Sequence, residues 1–185
     1  MAPNQDVHAL RPFLPLTCDV VVHTHAVPGR VRLISAYIPL IDKDCCGRWR
    51  FWGTEELRTP GIELHMEYDI EWLDDSLPDL SILRARKEAF DVIMLTAVWM
   101  HLDEVQRCRA MPVIASLLSA TGIIIMSLRH GPVPNGRRMF EVTEAETIEL
   151  AALQGLQLVL NIRTQSVSVE NRIADVNWTR LAFRR

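Results

Sequence analysis

The sequence predicts an α/β fold built around a mostly parallel sheet. From Ile70 onward, short apolar runs alternate with helical stretches, the pattern of strand–helix–strand units. Two of those runs, Phe90-Asp91-Val92-Ile93-Met94-Leu95 and Ile123-Ile124-Ile125-Met126-Ser127-Leu128, are almost continuously apolar, as expected of strands covered by helices on both faces.

In chain order, Ile70 to Leu73 reads as a short strand ending in Asp74-Asp75-Ser76, and Pro78-Asp79-Leu80 opens a helix to about Glu88. The central strand Phe90 to Leu95 follows. Asp103 and Glu104 suit a helix N-terminus, and Val105, Cys108, Met111, Ile114, Ala115 and Leu118 recur at helical spacing, giving a helix over Asp103 to Leu118. Pro112 lies inside it and should kink or shorten it, because proline lacks the backbone donor. Thr121-Gly122 punctuates before the Ile123 to Leu128 strand, and Arg129 to Gly136 is rich in turn formers. Thr143-Glu144-Ala145-Glu146 is a capping box that starts a helix from Glu144 to about Gln154, and Gly155 suits the left-handed position past its end. Leu156 to Ile162 and Val176 to Phe183 are two further strands, joined by the polar stretch Arg163 to Asp175.

A chain of 185 residues fits one domain, 1–185, and 49% hydrophobic with 23% charged residues is an ordinary globular composition. A formal net charge of -3 argues against non-specific binding to nucleic acid or an anionic membrane, both of which need a basic surface. No apolar run approaches the roughly 20 residues that cross a bilayer, and Met1 to Leu10 lacks a secretory leader's pattern, so a cytoplasmic location is expected. Cys18, Cys45, Cys46 and Cys108 have no C-x-x-C spacing and read as reduced thiols. His23-Thr24-His25 puts two imidazoles on one face if extended, yet no third ligand stands nearby and no metal is expected.

Three segments together resemble the class I S-adenosylmethionine-dependent methyltransferases, of the broad type sometimes called type 11. Trp72-Leu73-Asp74-Asp75-Ser76-Leu77-Pro78 is similar to the turn after that family's third strand, where an acidic residue lies beside the adenine. Phe90 to His101 is similar to its fourth strand and the loop flanking the cofactor. Ser116 to Ser127 is similar to its leucine-rich helix end, turn and fifth strand, with Ala120-Thr121-Gly122 in place of Pro-Gly-Gly. The resemblance covers about two thirds of the chain, with 54–185 family-like and 1–53 atypical, and it rests on the joint order of motifs that are individually common. It implies a Rossmann-like, doubly wound, mostly parallel sheet with an antiparallel C-terminal hairpin, its front part diverged or incomplete.

The family's glycine-rich turn after the first strand, where backbone amides approach the cofactor's methionine end, is not found. Its nearest candidate follows Asp19-Val20-Val21-Val22 and offers Gly29 alone, while Glu55 or Glu56 would stand for the acidic residue that binds the ribose. The atypical front is read as strongly diverged or as the product of an altered reading frame.

The resemblance implies S-adenosylmethionine as cofactor, a small-molecule acceptor, and a cofactor seat made by Asp74, Asp75, Ser76, Thr96, Ala97 and Val98, with Glu55 and Gly29 as further candidates. Asp75 is alternatively a cap for the helix near Pro78. His101 is a candidate general base or a cap on the Asp103 helix. Arg129 and His130, placed after a strand, are candidate substrate-binding residues or part of a solvated basic loop that includes Arg137-Arg138. The competing function is a catalytically impaired methyltransferase-like module working through dimerisation or a partner protein. A nicotinamide-dependent reductase on a similar sheet is a third reading, with the same missing turn.

Overall fold

The computed structural model describes the backbone of the strands Asp19–His23, Val31–Ala36, Ile41–Lys43 and Trp49–Phe51 and the continuous stretch 70–185, with side chains described for residue 73 and residues 75–185. Among the described residues there are nine strands: β1 Asp19–His23, β2 Val31–Ala36, β3 Ile41–Lys43, β4 Trp49–Phe51, β5 Ile70–Asp75, β6 Phe90–Thr96, β7 Leu118–His130, β8 Gln157–Gln165 and β9 Asn177–Arg184. Four helices join the later ones: α1 Ser81–Ala85, α2 Glu104–Ser116, α3 Glu144–Ala152 and α4 Val169–Ile173.

Seven strands form one sheet in the order β5-β2-β1-β6-β7-β9-β8, and β3 pairs with β4 separately. β5 and β2 run parallel, as do β6 and β7, and β8 and β9 make the antiparallel pair at the C-terminal end. Five of the seven strands point the same way; β9 and β1 oppose them. The Rossmann-like α/β expectation therefore stands, with one departure: β1 is antiparallel to both neighbours.

The core is centred on one face of β6 and β7, where Ile93, Leu95, Ile124, Met126 and Leu128 are buried, while Val92, Met94, Ile123 and Ile125 on the other face are half-buried. Phe90, Leu95, Ile124 and Leu128 are fully buried, which is what a nearly all-apolar central strand requires. β7 begins earlier than its apolar run suggests, because Leu118 already pairs with Phe90 and an irregularity takes up the residues before Ile123 meets Val92. Gly122 sits in that irregularity, where a Cβ would lie 2.8 Å from Leu118 Cγ and 2.9 Å from the Phe90 carbonyl oxygen, so only glycine admits the close approach.

α2 runs through Pro112, which is exposed, to Ser116, and Asp103 caps it by the reciprocal box with Gln106. Its buried face is Arg107, Ala110, Met111, Ile114 and Ala115, whereas Val105 and Cys108 from the expected apolar stripe are exposed. The helix is rotated from that expectation because Arg107 occupies a buried position, where it donates to both Glu146 carboxylate oxygens and to the Leu102 carbonyl. The same bond alters the capping box of α3: Thr143 accepts from the Glu146 amide as expected, while the Glu146 side chain goes to Arg107. Gly155 ends that region with φ of 73°, as predicted. The polar stretch between β8 and β9 contains the short helix α4, capped by Ser168.

Candidate functional site

In an open α/β sheet, ligands collect beyond the carboxyl ends of the parallel strands. The pairing registers show which residues share that edge. Leu73, Ile34, Val20, Leu95, Met126, Leu181 and Asn161 form one continuous row across the sheet. Leu73 and Leu95 are thus three strands apart at the same height, roughly 14 Å by ordinary strand spacing. Residues that follow them, from Asp75 and from Thr96, face one edge, and so does the end of β7 at Arg129 and His130.

At the tip of β5, Asp75 is buried, and its carboxylate accepts from the amides of Ser76 at 2.9 Å and Leu83 at 2.8 Å. It therefore ties the strand end to α1, the capping role left open above, and retains one lone-pair direction on each oxygen. Ser76 is exposed. Asp74 ends one residue earlier in the same strand.

At the tip of β6, Thr96 is exposed and Ala97 takes the left-handed conformation with φ of 55°. A non-glycine residue stays there only when its surroundings hold it. The Ala97 amide donates to Ser127 Oγ at 2.8 Å, which fixes the turn against β7. Val98 and the following 3-10 turn Trp99–His101 are buried, and Phe140 donates to the Met100 carbonyl at 2.8 Å.

His101 is 2% exposed and has Nδ1 2.9 Å from the Arg138 carbonyl oxygen. A carbonyl only accepts, so Nδ1 carries the proton and Nε2 the lone pair of the neutral ring. Burial pushes its pKa below 6.5; the Arg138 carbonyl opposes this, and Arg137 and Arg129 add to it. A neutral imidazole suits a base, but His101 does not line the cleft described next.

That cleft, of about 360 Å³, opens beyond β7 and is lined by Met100, Arg129, His130, Gly131–Val133 and Met139–Val142. It lies at the low end of volumes that hold small ligands. Arg129 donates to the Pro132 carbonyl at 2.9 Å; burial, then Arg137, lowers its pKa from the usual guanidinium range, and it stays a cation at neutral pH. His130 lies 2.8 Å from the Thr179 hydroxyl, which is 2.6 Å from Glu144 Oε1. Arg138 stacks over Phe140 at 5.1 Å and reaches Asp103 at 3.3 Å, holding the loop between the cleft and α2.

The structure thus brings Arg129 and His130 into one cleft, sets Asp75, Ser76, Thr96, Ala97 and Val98 along the same sheet edge, and leaves His101 outside the cleft lining. Gly29 and Glu55 lie outside the described residues, as do His25 and Cys18, Cys45 and Cys46. The strand ends that flank Gly29, His23 opposite Val92 and Val31 opposite Ile70, stand at the amino edge of the sheet, away from Asp75 and Ala97. Among the described residues no group of three or more acidic, histidine or cysteine side chains is arranged to hold a metal. Met139, Phe140, Glu141 and Val142 were not signalled by the sequence, since an irregular loop brings them to the cleft. Thr179 and Glu144 were not signalled either, because their meeting depends on β9 pairing with β7.

No family model and no curated protein matches the sequence. Solved structures do match the fold. The N-methyltransferase NodS from Bradyrhizobium japonicum WM9 is 17% identical with a TM-score of 0.52, over 70% of this chain and 68% of that one. Magnesium protoporphyrin IX methyltransferase from Synechocystis PCC 6803, with bound S-adenosylmethionine, is 16% identical with a TM-score of 0.51, over 71% of this chain and 53% of that one. A putative S-adenosylmethionine dependent methyltransferase from Listeria monocytogenes is 9% identical with a TM-score of 0.57, over 71% of this chain and 76% of that one. This chain spans as little as about half of some of these proteins. The fold is that of the class I methyltransferases.

Proposed function

We propose that this chain is an S-adenosylmethionine-dependent methyltransferase acting on a small acceptor. The observation that carries the reading is the single row that joins Leu73 to Leu95 and Met126, because it puts the tips of β5, β6 and β7 on one carboxyl edge. Several of the solved structures that share the fold hold the cofactor or its demethylated product. The cofactor would bring an already activated methyl group on a sulfonium, so the protein's part is to bind, orient and exclude water. The exposed hydroxyls of Ser76 and Thr96 and the backbone of the Ala97 turn would hold its adenosyl part, with Asp74 and Asp75 supporting that wall. Arg129 and His130 would receive the acceptor, and Arg129 favours one that carries a negative charge. Among the described residues no helix is long and apolar enough to cross a membrane, in keeping with a cytoplasmic enzyme.

Calorimetric titration with S-adenosylhomocysteine tests the reading. Saturable binding at micromolar concentration is expected, and no heat at up to 1 mM, roughly -4 kcal/mol, would defeat it.

Self-association is supported by β8, an edge strand whose Leu158, Val159, Leu160 and Ile162 are all exposed and whose only charge is Arg163. Light scattering on a size-exclusion column should show a dimer that L160K converts to monomer; a wild-type monomer at high protein concentration would remove this part.

A further inference from the structure

We propose that His130 is the proton acceptor of the cleft, and that Glu144 and Thr179 are positioning residues that hold its imidazole with Nδ1 bare. This deepens the methyltransferase reading and rests on it.

The directions of the hydrogen bonds follow from the groups themselves. Glu144 Oε1 lies 2.6 Å from Thr179 Oγ1, and an ionised carboxylate only accepts, so the threonine spends its single proton there. The Thr179 oxygen is then left as an acceptor for the His130 Nε2, 2.8 Å away, which must carry a proton. In a neutral ring this fixes the tautomer: Nε2 protonated and Nδ1 with the lone pair. Among the described residues the ring has no other hydrogen-bond partner, and His130 lines the cleft. A base held in orientation by a third group is one arrangement by which a weak nucleophile is activated.

Three elements build the arrangement. His130 ends β7, opposite Asn177, with Thr179 on the antiparallel strand β9, where it is fully buried. Glu144 stands in the first turn of α3, where the helix dipole favours its ionised form. The charged groups that face His130 are Glu144 from α3, at 3.6 Å from Nε2, and Arg163 from β8, which itself lies 3.9 Å from Glu144. Burial lowers the His130 pKa, against the pull of Glu144 and together with Arg163, so the ring is neutral at pH 7. The hydrogen bond from Thr179 above all keeps Glu144 below its usual range.

In the proposed step the acceptor's O–H or N–H gives its proton to Nδ1. The lone pair thus released on the acceptor atom would form the new bond to the methyl carbon. Bound S-adenosylmethionine would supply that methyl on its sulfonium and keep both electrons of the carbon–sulfur bond on sulfur, so the products would be a neutral thioether, a methylated acceptor and an imidazolium. Arg129, adjacent in sequence, would anchor an anionic group of the acceptor beside the base.

Long-range nitrogen–proton correlation spectra of the labelled full chain test the arrangement, with His130 assigned by its absence in H130Q. The expected spectrum at pH 8 has Nε2 protonated and Nδ1 bare, with a titration midpoint below 6.5. T179V should lower the ratio of the two tautomers about fivefold, the effect of one neutral hydrogen bond, and T179S should restore it. E144Q should lower the midpoint further. Diethyl pyrocarbonate should modify His130 in the wild-type protein once the ring is neutral. A proton on Nδ1, a T179V ratio equal to that of the wild type, or an unreactive His130 would each overturn the proposal. S-adenosylhomocysteine binding by the wild type reports separately on the parent reading: a correct tautomer without that binding would leave the relay and remove the methyltransferase.

Discussion

The buried pair between α2 and α3 offers the sharpest energetic test, because its two members are unequally exposed. The Arg107 side chain is 5% exposed and that of Glu146 28%. Arg107 makes three hydrogen bonds, two to the Glu146 carboxylate at 2.7 and 3.1 Å and one to the Leu102 carbonyl at 2.6 Å. E146A would leave a buried guanidinium with one partner. Breaking a buried pair costs about 3–5 kcal/mol, and partial hydration at the open Glu146 end reduces this to roughly 2–4 kcal/mol. R107M removes the buried charge instead, keeps much of the volume and leaves a carboxylate that water can reach, so it should cost about 1–2 kcal/mol. For a domain of this size each kcal/mol shifts Tm by about 2–4 °C. Urea denaturation of both variants and of the double variant measures the asymmetry. Equal losses, or a larger loss in R107M, would refute the account of why α2 is rotated to bury an arginine.

Two further outcomes are expected. D75A should cost about 1–3 kcal/mol in urea denaturation, because two amides lose a buried acceptor, while weakening S-adenosylhomocysteine binding by less than about tenfold; a variant of wild-type stability that has lost binding would make Asp75 a ligand contact and not a cap. His101 gives a pH dependence whose sign is fixed. Its folded pKa is depressed by burial, so below about 6.5 the unfolded chain takes up a proton that the folded one refuses, and stability falls with pH from there. Above that pH the contribution is fully present. Urea midpoints at pH 8 and pH 5.5 should converge in H101Q relative to the wild type, and an unchanged gap would show that His101 is not the group responsible.

How much of this was legible depended on whether the signal was local. β6 is legible because Phe90 and Leu95 belong to one short, β-prone apolar run, and the Thr143 cap and Gly155 mark the bounds of α3 through their own backbone requirements. The face of α2 was misread by about one step, since helical spacing fits Val105 and Cys108 as well as Arg107. What decides between them is Glu146, a partner 39 residues away. Arg129 and His130 were legible as candidates from their position after an apolar strand. The Thr179 hydroxyl was not, being one polar side chain in a strand and made meaningful by pairing across the sheet. Strand direction is the least legible property of all, because Asp19-Val20-Val21-Val22 has the same apolar pattern read either way.

The direction of β1 has a consequence for the cofactor itself. A turn after the first strand can touch a ligand at the carboxyl edge only if that strand runs with its neighbours, and β1 runs against them. β1 therefore ends with His23 at the amino edge, and Asp19, opposite Thr96, stands at the carboxyl edge instead. Backbone amides of a glycine turn after the first strand are the expected seat for the methionine end of the cofactor, and the end of β1 stands on the opposite edge of the sheet. In the proposed reading the adenosyl end would meet the tips of β5 and β6, so most of the affinity should come from it. Titration with 5′-methylthioadenosine, which lacks the amino acid, should give a Kd within about tenfold of that for S-adenosylhomocysteine, a difference of at most about 1.4 kcal/mol. If S-adenosylhomocysteine binds more than about a hundredfold tighter, the amino-acid end has charged or amide partners of its own, and the reversal of β1 does not govern how this sheet holds a nucleotide.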